Sequence, residues 1–555
     1  MSTQADLNDG CDRTRFAKTV IFLLLLALSF EAGLLFLNRA SLPDSISSPW
    51  VRDATMRFFA PLEESVGKIP QDFIGTRENF KVAELMASMA GLSVLFLIAI
   101  AVVEFMAPRS DSRILGIILV TSLIFRLTLA PYPPLIETDI HRYLFDGAVM
   151  AHGISPYKYS PSEIRDSYKR AYRHQLPPDE QDELKVIRYL IQTDPSIRKH
   201  YARVNHPSIR TIYPPLTQLL FAISARVSSG SQEVWKLLNI LIDFLILIVI
   251  VGFLRVTNLN LNRVLIYGWC PFVLKEYANT GHHDPVATLM ALLSLWYIWR
   301  GHRILAGLLV GLGILSKIYP AIFLILFRRR LGVRGWVAAG ILVVMGYAPF
   351  VVSGGFQRSF DGLTTFGKRW EFNSSVFAVT EKIVWRIIYG QSPGEQQGPD
   401  RIQDERIQKE VLDPVLAGST PEQFIRRVTR VALAAVLLII MLVRSSHRHD
   451  TFPDILRSAF LGTGASFLLA PVSDPWYLGW VMPYVALFPT MSWLYLSCSI
   501  HLYYVYFWIP RVGLDWGYKD GVRLIEYVPF YLMLLRELTI ARRQSVSKTP
   551  TAQEN

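Results

Sequence analysis

The residues best suited to chemistry in this chain lie in a short polar stretch that follows an apolar run. Glu137 and Asp139 are carboxylates two positions apart, and His141 and Arg142 follow directly. A carboxylate held beside a substrate hydroxyl can accept its proton, which is the task of a general base. Carboxylates are also favoured at a solvated helix N-terminus, where they interact with the helix dipole. The spacing alone leaves both interpretations open.

Other polar residues interrupt apolar sequence at several distant points of the chain. Such residues are costly at the ends of membrane segments unless they pair or face a wet cavity, so their recurrence indicates a functional site. The candidate binding residues are Arg142, Tyr143, Tyr213, His282, His283, Asp284, Lys317, Arg369, Trp370, Asn373, Trp476 and Tyr477.

Several of these candidates also have a purely structural interpretation. Asp284 precedes a proline at the start of an apolar run, which is the pattern of a helix N-cap. Lys317 can extend along apolar surface to the membrane boundary. Trp476 and Tyr477 can be aromatic residues of the membrane interface. Capping and function are compatible at Asp284, so these alternatives do not exclude a site.

The sequence predicts no metal site and no other cofactor, with a divalent metal as the alternative. His282 and His283 are adjacent and lack the i, i+4 spacing of a helical metal site. The three cysteines, Cys11, Cys270 and Cys498, are widely separated. Neither a disulfide framework nor a thiol-rich metal site is therefore expected.

The composition is that of a polytopic membrane protein. Of the 555 residues, 51% are hydrophobic and 18% are charged, and the mean hydropathy is +0.29. The formal charge of +12 comes from Lys and Arg that cluster between apolar runs. This placement follows the positive-inside rule, so the basicity indicates membrane topology and not nucleic-acid binding.

The apolar runs predict an all-α bundle of about fourteen transmembrane helices. A cleaved signal peptide is the alternative interpretation of the first run. The predicted spans are 19–38, 83–107, 113–130, 235–254, 264–279, 285–299, 303–316, 318–328, 335–352, 428–444, 455–470, 476–489, 491–509 and 523–537.

The basic connectors predict which side of the membrane each polar cluster occupies. With the connectors around Arg255, Arg300 and Arg328 in the cytoplasm, both termini lie inside and the candidate residues share the outer face. The apolar piece at 214–228 is short for a span and begins with two prolines. We predict that it is an outer juxtamembrane or re-entrant helix that does not cross the membrane.

The candidate residues also lie in motifs that resemble those of GT-C glycosyltransferases. The run from Asp139 to Tyr157 is similar to a D-x-x-R-Y-x-x-D-G-x-x-x-x-x-G-x-N-P-Y pattern of bacterial alpha-mannosyltransferases and the GPI-anchor mannosyltransferase. Ser155 and Cys270 depart from the usual asparagines, which bears on sugar identity more than on reaction type. The further matches, in chain order, are Tyr213–Leu216, Trp269–Pro271, Gly281–Asp284, Lys317–Pro320, Trp370–Asn373 and Pro475–Tyr477.

The predicted topology and the resemblance, which covers about residues 113–490, together imply a five-part division of the chain around a GT-C-like membrane module. The parts are 1–112, accessory membrane helices and an outer loop; 113–352, the catalytic module with a first catalytic loop at 131–234; 353–426, an outer loop; 427–540, C-terminal membrane helices; and 541–555, a disordered cytoplasmic tail.

The resemblance also implies a reaction. A hexose, with mannose favoured, would move from a polyprenyl-phosphate donor to a glycan or lipid acceptor in one inverting displacement at the extracytoplasmic face. Asp139 would act as base with Glu137 beside it, and Arg142, His282, Lys317 and Arg369 would face the phosphate. A transporter or flippase of lipid-linked sugars is the alternative, and a polymerase or ligase acting on lipid-linked glycans is a third possibility.

Overall fold

The computed structural model describes residues 2–39, 77–169, 176–390, 420–507 and 517–546. These residues are 80% helical and contain no strand, only an isolated bridge between Phe372 and Val472. The fold is therefore all-α, as predicted. Much of the first predicted outer loop, the segment 391–419 and the end of the C-terminal tail lie outside the described residues.

Six helices of the described chain are long and apolar enough to cross a membrane. Their apolar windows and bounds agree with six of the predicted spans, but the count of about fourteen is not confirmed. The six helices are Ser2–Arg39, Arg77–Phe105, Ser112–Leu129, Gln232–Val256, Arg328–Gly354, which is broken at Gly332, and Pro421–Ser446.

Four predicted spans are not continuous helices, which corrects the sequence-based assignment. Prolines within 264–279, 318–328 and 476–489 lack the N–H group that a helix interior needs, so each of these runs divides into short pieces. The pieces are Leu261–Val264, Leu265–Gly268, Pro271–Val273, Leu274–Asn279, Tyr319–Ala321, Ile322–Leu326, Pro475–Leu478 and Met482–Leu487. The run 491–509 forms Met491–Ser499 and a 3₁₀ segment, Ile500–Phe507.

A buried ion pair joins two of the long helices to the first broken segment. Arg126 and Asp243 are both fully buried, with 2.6 Å between Nε and Oδ2. The Tyr267 hydroxyl donates to the other oxygen of Asp243 at 2.5 Å, and the guanidinium also donates to the Gly268 carbonyl. Because an unpaired charge in apolar surroundings is costly, this contact fixes the register of the three elements.

The chain between the third and fourth long helices folds as a helical cap. Its helices are Asp139–Ala151, Pro161–Asp166, Pro178–Thr193, Pro195–Ala202 and Pro215–Val227. A Cβ placed on Gly147 would lie 2.5 Å from the Phe221 carbonyl oxygen, so glycine permits the close contact of the first and last of these helices. The last helix has 13 residues, a rise of about 20 Å, which is shorter than a ~30 Å hydrocarbon core.

The remaining helices pack around the site from the C-terminal half. Their bounds are Asp284–Arg300, Arg303–Ile314, Phe356–Arg369, Val376–Tyr389, Phe452–Leu469 and Gly517–Val546. Two of them lie in the segment 353–426, which the sequence suggested was an outer loop. Backbone hydrogen bonds from Phe372 to Pro471 and from Ser473 to Phe372, at 3.1 and 2.9 Å, tie this segment to the chain before Asp474.

Candidate active site

Asp139 begins a helix, and its carboxylate is held by two side chains from one loop. Asn205 Nδ2 donates to Oδ1 at 2.7 Å, and the Tyr213 hydroxyl lies 3.4 Å from Oδ2. The carboxylate is half-buried, so it is accessible as well as oriented. These features suit a base that must meet a substrate hydroxyl in a defined direction.

Arg142 lies one turn along the same helix and is buried. Its Nη2 atom donates to the carbonyl oxygens of Asn205, His206 and Ile209, at 3.3, 3.2 and 3.0 Å. The guanidinium therefore holds the loop that supplies Asn205. The phosphate-binding role suggested by the motif remains a prediction.

An aromatic wall separates the helical cap from the membrane helices. The Tyr143 ring stacks on Phe221 at 4.7 Å and meets Tyr213 edge-on at 5.0 Å. Its hydroxyl lies 3.1 Å from His282 Nδ1. His283 packs edge-on against Tyr213 at 5.0 Å, and neither of its ring nitrogens has a hydrogen-bond partner.

Two further carboxyl groups lie close enough to Asp139 to interact with it electrostatically. Burial raises the pKa of Glu137 well above its ordinary value; Lys275 opposes this rise, and Asp139, Glu276 and Asp474 add to it. Burial and then Asp139 likewise raise the pKa of Asp474. Glu137 Oε1 and Asp474 Oδ1 are buried without a hydrogen-bond partner. The raised pKa favours the protonated form of each group, and the unpartnered oxygens can bond substrate hydroxyls.

Lys317 is held in the candidate site by contacts with Asp284 and Tyr477. Lys317 Nζ donates to Asp284 Oδ1 at 2.6 Å, and Trp480 Nε1 donates to the same oxygen at 2.7 Å. The ammonium group lies 4.1 Å from the centre of the Tyr477 ring. Asp284 Oδ2 is buried and unpartnered. Lys317 is thus held by a carboxylate and an aromatic face, and its side chain is 16% exposed.

The two predicted residues His282 and Trp476 form a stacked pair, with ring centres 4.0 Å apart. His282 Nε2 is 3.6 Å from Glu276 Oε2. Glu276 also pairs with Lys275 at 3.1 Å and accepts from the Tyr504 hydroxyl at 2.5 Å. These buried contacts hold the His282 ring in place against Trp476.

The three predicted residues at 369–373 occupy different positions. Trp370 packs edge-on against His206 at 4.8 Å, above the loop that holds Asp139. Asn373 is fully buried, and its side chain contacts the Ser473 carbonyl at 3.4 Å and the Tyr506 hydroxyl at 3.2 Å. Arg369 is exposed at the last residue of its helix. Asn373 therefore joins chain segments, whereas Trp370 packs on the loop that supplies Asn205.

The structure adds residues that were not among the selected candidates. Asp474 lies two residues before the predicted Trp476, and the sequence motifs assign it no role. Asn205 lies in a mixed-charge loop and belongs to none of the quoted motifs, so only its contact with Asp139 identifies it.

Within the described ranges, no group of three or more His, Cys, Asp or Glu side chains could hold a metal ion. The expectation that the reaction needs no metal remains a prediction.

An apolar groove of about 570 Å³ opens beside the site. Its wall includes a junction where Leu216 N donates to the Leu315 carbonyl at 2.9 Å and Thr217 Oγ1 donates to the Ser316 carbonyl at 2.9 Å. Lys317 follows directly in the chain. The groove residues are Met150, Gly153, Ile154, Ser155, Pro215, Leu216, Leu219, Leu312, Leu315, Met345, Gly346, Pro349, Phe350 and Ser353.

Two family models match the chain in different parts. Glycosyltransferase family 87 matches residues 211–471. The N-terminal domain of alpha-(1->6)-mannopyranosyltransferase matches residues 55–175, which include Asp139. No curated protein and no solved structure matches the chain. The two matches support a GT-C-type mannosyltransferase family, in agreement with the ordered motifs of the sequence.

Proposed function

We propose that this chain, a membrane glycosyltransferase of the GT-C type, moves a hexose from a polyprenyl-phosphate donor to a hydroxyl of a glycan or lipid acceptor. Mannose is the favoured sugar because one matching family model is that of a mannopyranosyltransferase. The reaction takes place at the extracytoplasmic face, and both chain termini lie in the cytoplasm.

The observation that carries this proposal is an oriented carboxylate beside buried polar atoms that lack partners. Asp139 is held by Asn205 and Tyr213, and the unpartnered atoms belong to Glu137, His282, His283, Asp284 and Asp474. Buried polar groups are normally hydrogen-bonded, so this concentration fits a ligand rich in hydroxyl groups. The aromatic rings among them suit the apolar faces of a sugar.

In the proposed displacement, Asp139 accepts the proton of the acceptor hydroxyl as its oxygen attacks the anomeric carbon. The bond from that carbon to the phosphate oxygen breaks, and polyprenyl phosphate leaves with the bonding electron pair. Lys317 lies where a cation can stabilise the developing charge on the phosphate. Asp284 holds Lys317 in place and compensates its charge before the donor binds.

The apolar groove supports a lipid-linked donor. Its lining is almost entirely apolar, and two of its residues, Leu219 and Met345, remain 46% and 65% exposed. A long prenyl chain could lie there while the phosphate reaches the Lys317 side of the junction. The proposed donor thus needs no nucleotide site.

The test is turnover by the purified full-length protein in liposomes. Polyprenyl-phosphate mannose, glucose and arabinose are offered in turn with octyl α-mannoside and a membrane lipid extract as acceptors, and products are identified by mass. We expect transfer from the mannose donor, and addition of EDTA tests metal dependence in the same assay. Movement of intact donor across the bilayer without product would favour a flippase instead.

Asp139→Asn is the matched variant for this assay. The amide keeps the size of the side chain but cannot accept the proton, so we expect a folded protein with at least about a 100-fold loss of turnover. Elution as a single species during size-exclusion chromatography checks folding. Turnover equal to that of the wild type would exclude Asp139 as the base.

A further inference from the structure

The loop between the Pro195–Ala202 and Pro215–Val227 helices reaches the catalytic carboxylate through one amide. Asn205 Nδ2 donates to Asp139 Oδ1 at 2.7 Å, and it lies 3.4 Å from the Thr138 hydroxyl, at the N-cap of the same helix. The Asn205 side chain thus contacts both the base and the residue before it.

The buried side chain of Arg142 and a backbone turn hold this loop in one conformation. Arg142 bonds the carbonyl oxygens of Asn205, His206 and Ile209. His206 has a φ of +47°, in the left-handed region that non-glycine residues seldom adopt. Ile209 N closes a turn onto the His206 carbonyl at 3.0 Å. A buried guanidinium with three carbonyl acceptors makes this turn a rigid support for the amide.

We propose that Asn205 is the positioning residue of Asp139. Its amide occupies one carboxylate oxygen and leaves Oδ2, whose contact with Tyr213 is long at 3.4 Å, to meet the acceptor hydroxyl. This proposal rests on the proposed function, because it assigns Asn205 a role through Asp139.

Asn205 orients the base, and a charge introduced at position 205 would in addition change how readily the base ionises. Orientation of the base affects the chemical step, since a displacement of about 1 Å can cost ~100-fold in rate. Ionisation of the base affects the acid limb of the pH–rate profile. The Asn205 amide contacts Asp139 and Thr138, so we expect its replacement to change donor binding little.

The experiment compares Asn205→Ala, Asn205→Asp and Asn205→Gln in liposomes with polyprenyl-phosphate mannose and octyl α-mannoside. For Asn205→Ala we expect kcat to fall about 10- to 100-fold, with the donor KM unchanged within about twofold. Asn205→Gln keeps an amide donor and should recover part of the loss. Asn205→Asp places a like charge beside the base and should move the acid limb about one pH unit or more upward.

Asn260→Ala is the control, because Asn260 is also half-buried and its side chain accepts hydrogen bonds from Ser110 N and Asn262 N, far from Asp139 in the chain. It should leave the pH profile unchanged. Unchanged kcat in Asn205→Ala, or an unmoved acid limb in Asn205→Asp, would overturn the positioning role. If the wild type forms no product from any of the three donors, the proposed function fails instead, so the two failures are distinguishable.

Discussion

At the scale of single residues, Glu137 shows how burial changes the role of a carboxyl group. Burial raises its pKa well above the ordinary value, against the opposing effect of Lys275. The raised pKa favours its protonated form, which can donate a hydrogen bond that an ionised carboxylate cannot. We therefore expect the two carboxyl groups, two positions apart, to take different roles.

Glu137→Gln tests this assignment through stability. A carboxyl group whose pKa is raised in the folded state contributes its full stability below its unfolded pKa, about 4.3, and loses it as the pH rises toward the folded value. The amide does not titrate, so we expect the variant to unfold at a higher temperature than the wild type at pH 8.

The difference should disappear near pH 4, where both side chains are neutral. Thermal unfolding in detergent across this pH range measures it. Activity within a fewfold of the wild type is expected as well, since the amide keeps a donor. A variant that is less stable than the wild type at pH 8 would show that Glu137 is ionised in the folded protein.

Sequence reasoning selected several residues of the candidate site because each is an ionisable or aromatic side chain beside an apolar run. Asp139, Asp284 and Lys317 belong to this group. Asn205 could not be found this way, since a neutral amide in a polar loop has no distinguishing pattern. Asn373 was selected by its motif, yet its buried contacts with Ser473 and Tyr506 join segments of the chain.

At the scale of elements, the Asp139–Ala151 helix depends on close packing against Pro215–Val227. Gly147 lies at their contact, where a Cβ would approach the Phe221 carbonyl oxygen to 2.5 Å. Backbone cannot move aside as a flexible side chain can, so alanine must push the two helices apart. That movement would also displace Asp139 relative to Tyr213.

Gly147→Ala should therefore destabilise the protein by about 1–3 kcal/mol, as overpacking usually does. It should also lower turnover with octyl α-mannoside. Gly116→Ala is the control, because a Cβ at that helical glycine has nothing within 4 Å and helical Gly→Ala changes are neutral or favourable by up to ~1 kcal/mol. Equal unfolding temperatures for both variants would contradict a tight helix contact at Gly147.

The lengths of elements were harder to predict than their positions. The apolar runs correctly located the long helices such as Gln232–Val256. In the run 264–279, however, an apolar composition concealed a break at Pro271 and a π-helical segment, Leu274–Asn279. Hydropathy indicates whether residues are buried or face lipid, but it does not show whether the backbone forms one continuous helix. Apolar runs that divide into short pieces were therefore counted as complete spans.

At the scale of the whole molecule, the Arg126–Asp243 pair fastens the membrane helices to one another. Removing one member leaves a buried charge without its partner, which typically costs about 3–5 kcal/mol. Arg126→Met should thus lower the unfolding temperature strongly. Arg126→Met combined with Asp243→Leu should recover much of the loss, because no unpaired charge remains.

The pair between Arg263 and Glu104 provides the control. Arg263 Nε lies 2.7 Å from Glu104 Oε1, but the two side chains are 25% and 24% exposed. Water can solvate the charge that remains when one partner is removed. Arg263→Met should therefore lower the free energy of unfolding by only about 0–1 kcal/mol. Thermal unfolding in one detergent compares all variants, and a double variant no more stable than Arg126→Met alone would argue against charge burial as the cause.

The two backbone hydrogen bonds between Phe372 and the chain at Pro471 and Ser473 connect two distant segments that both contribute to the candidate site. Trp370, which packs on His206 in the loop that holds Asp139, lies two residues before Phe372, and Asp474 directly follows Ser473. Because both segments share this contact, we expect a substitution that breaks it to disturb Trp370 and Asp474 together.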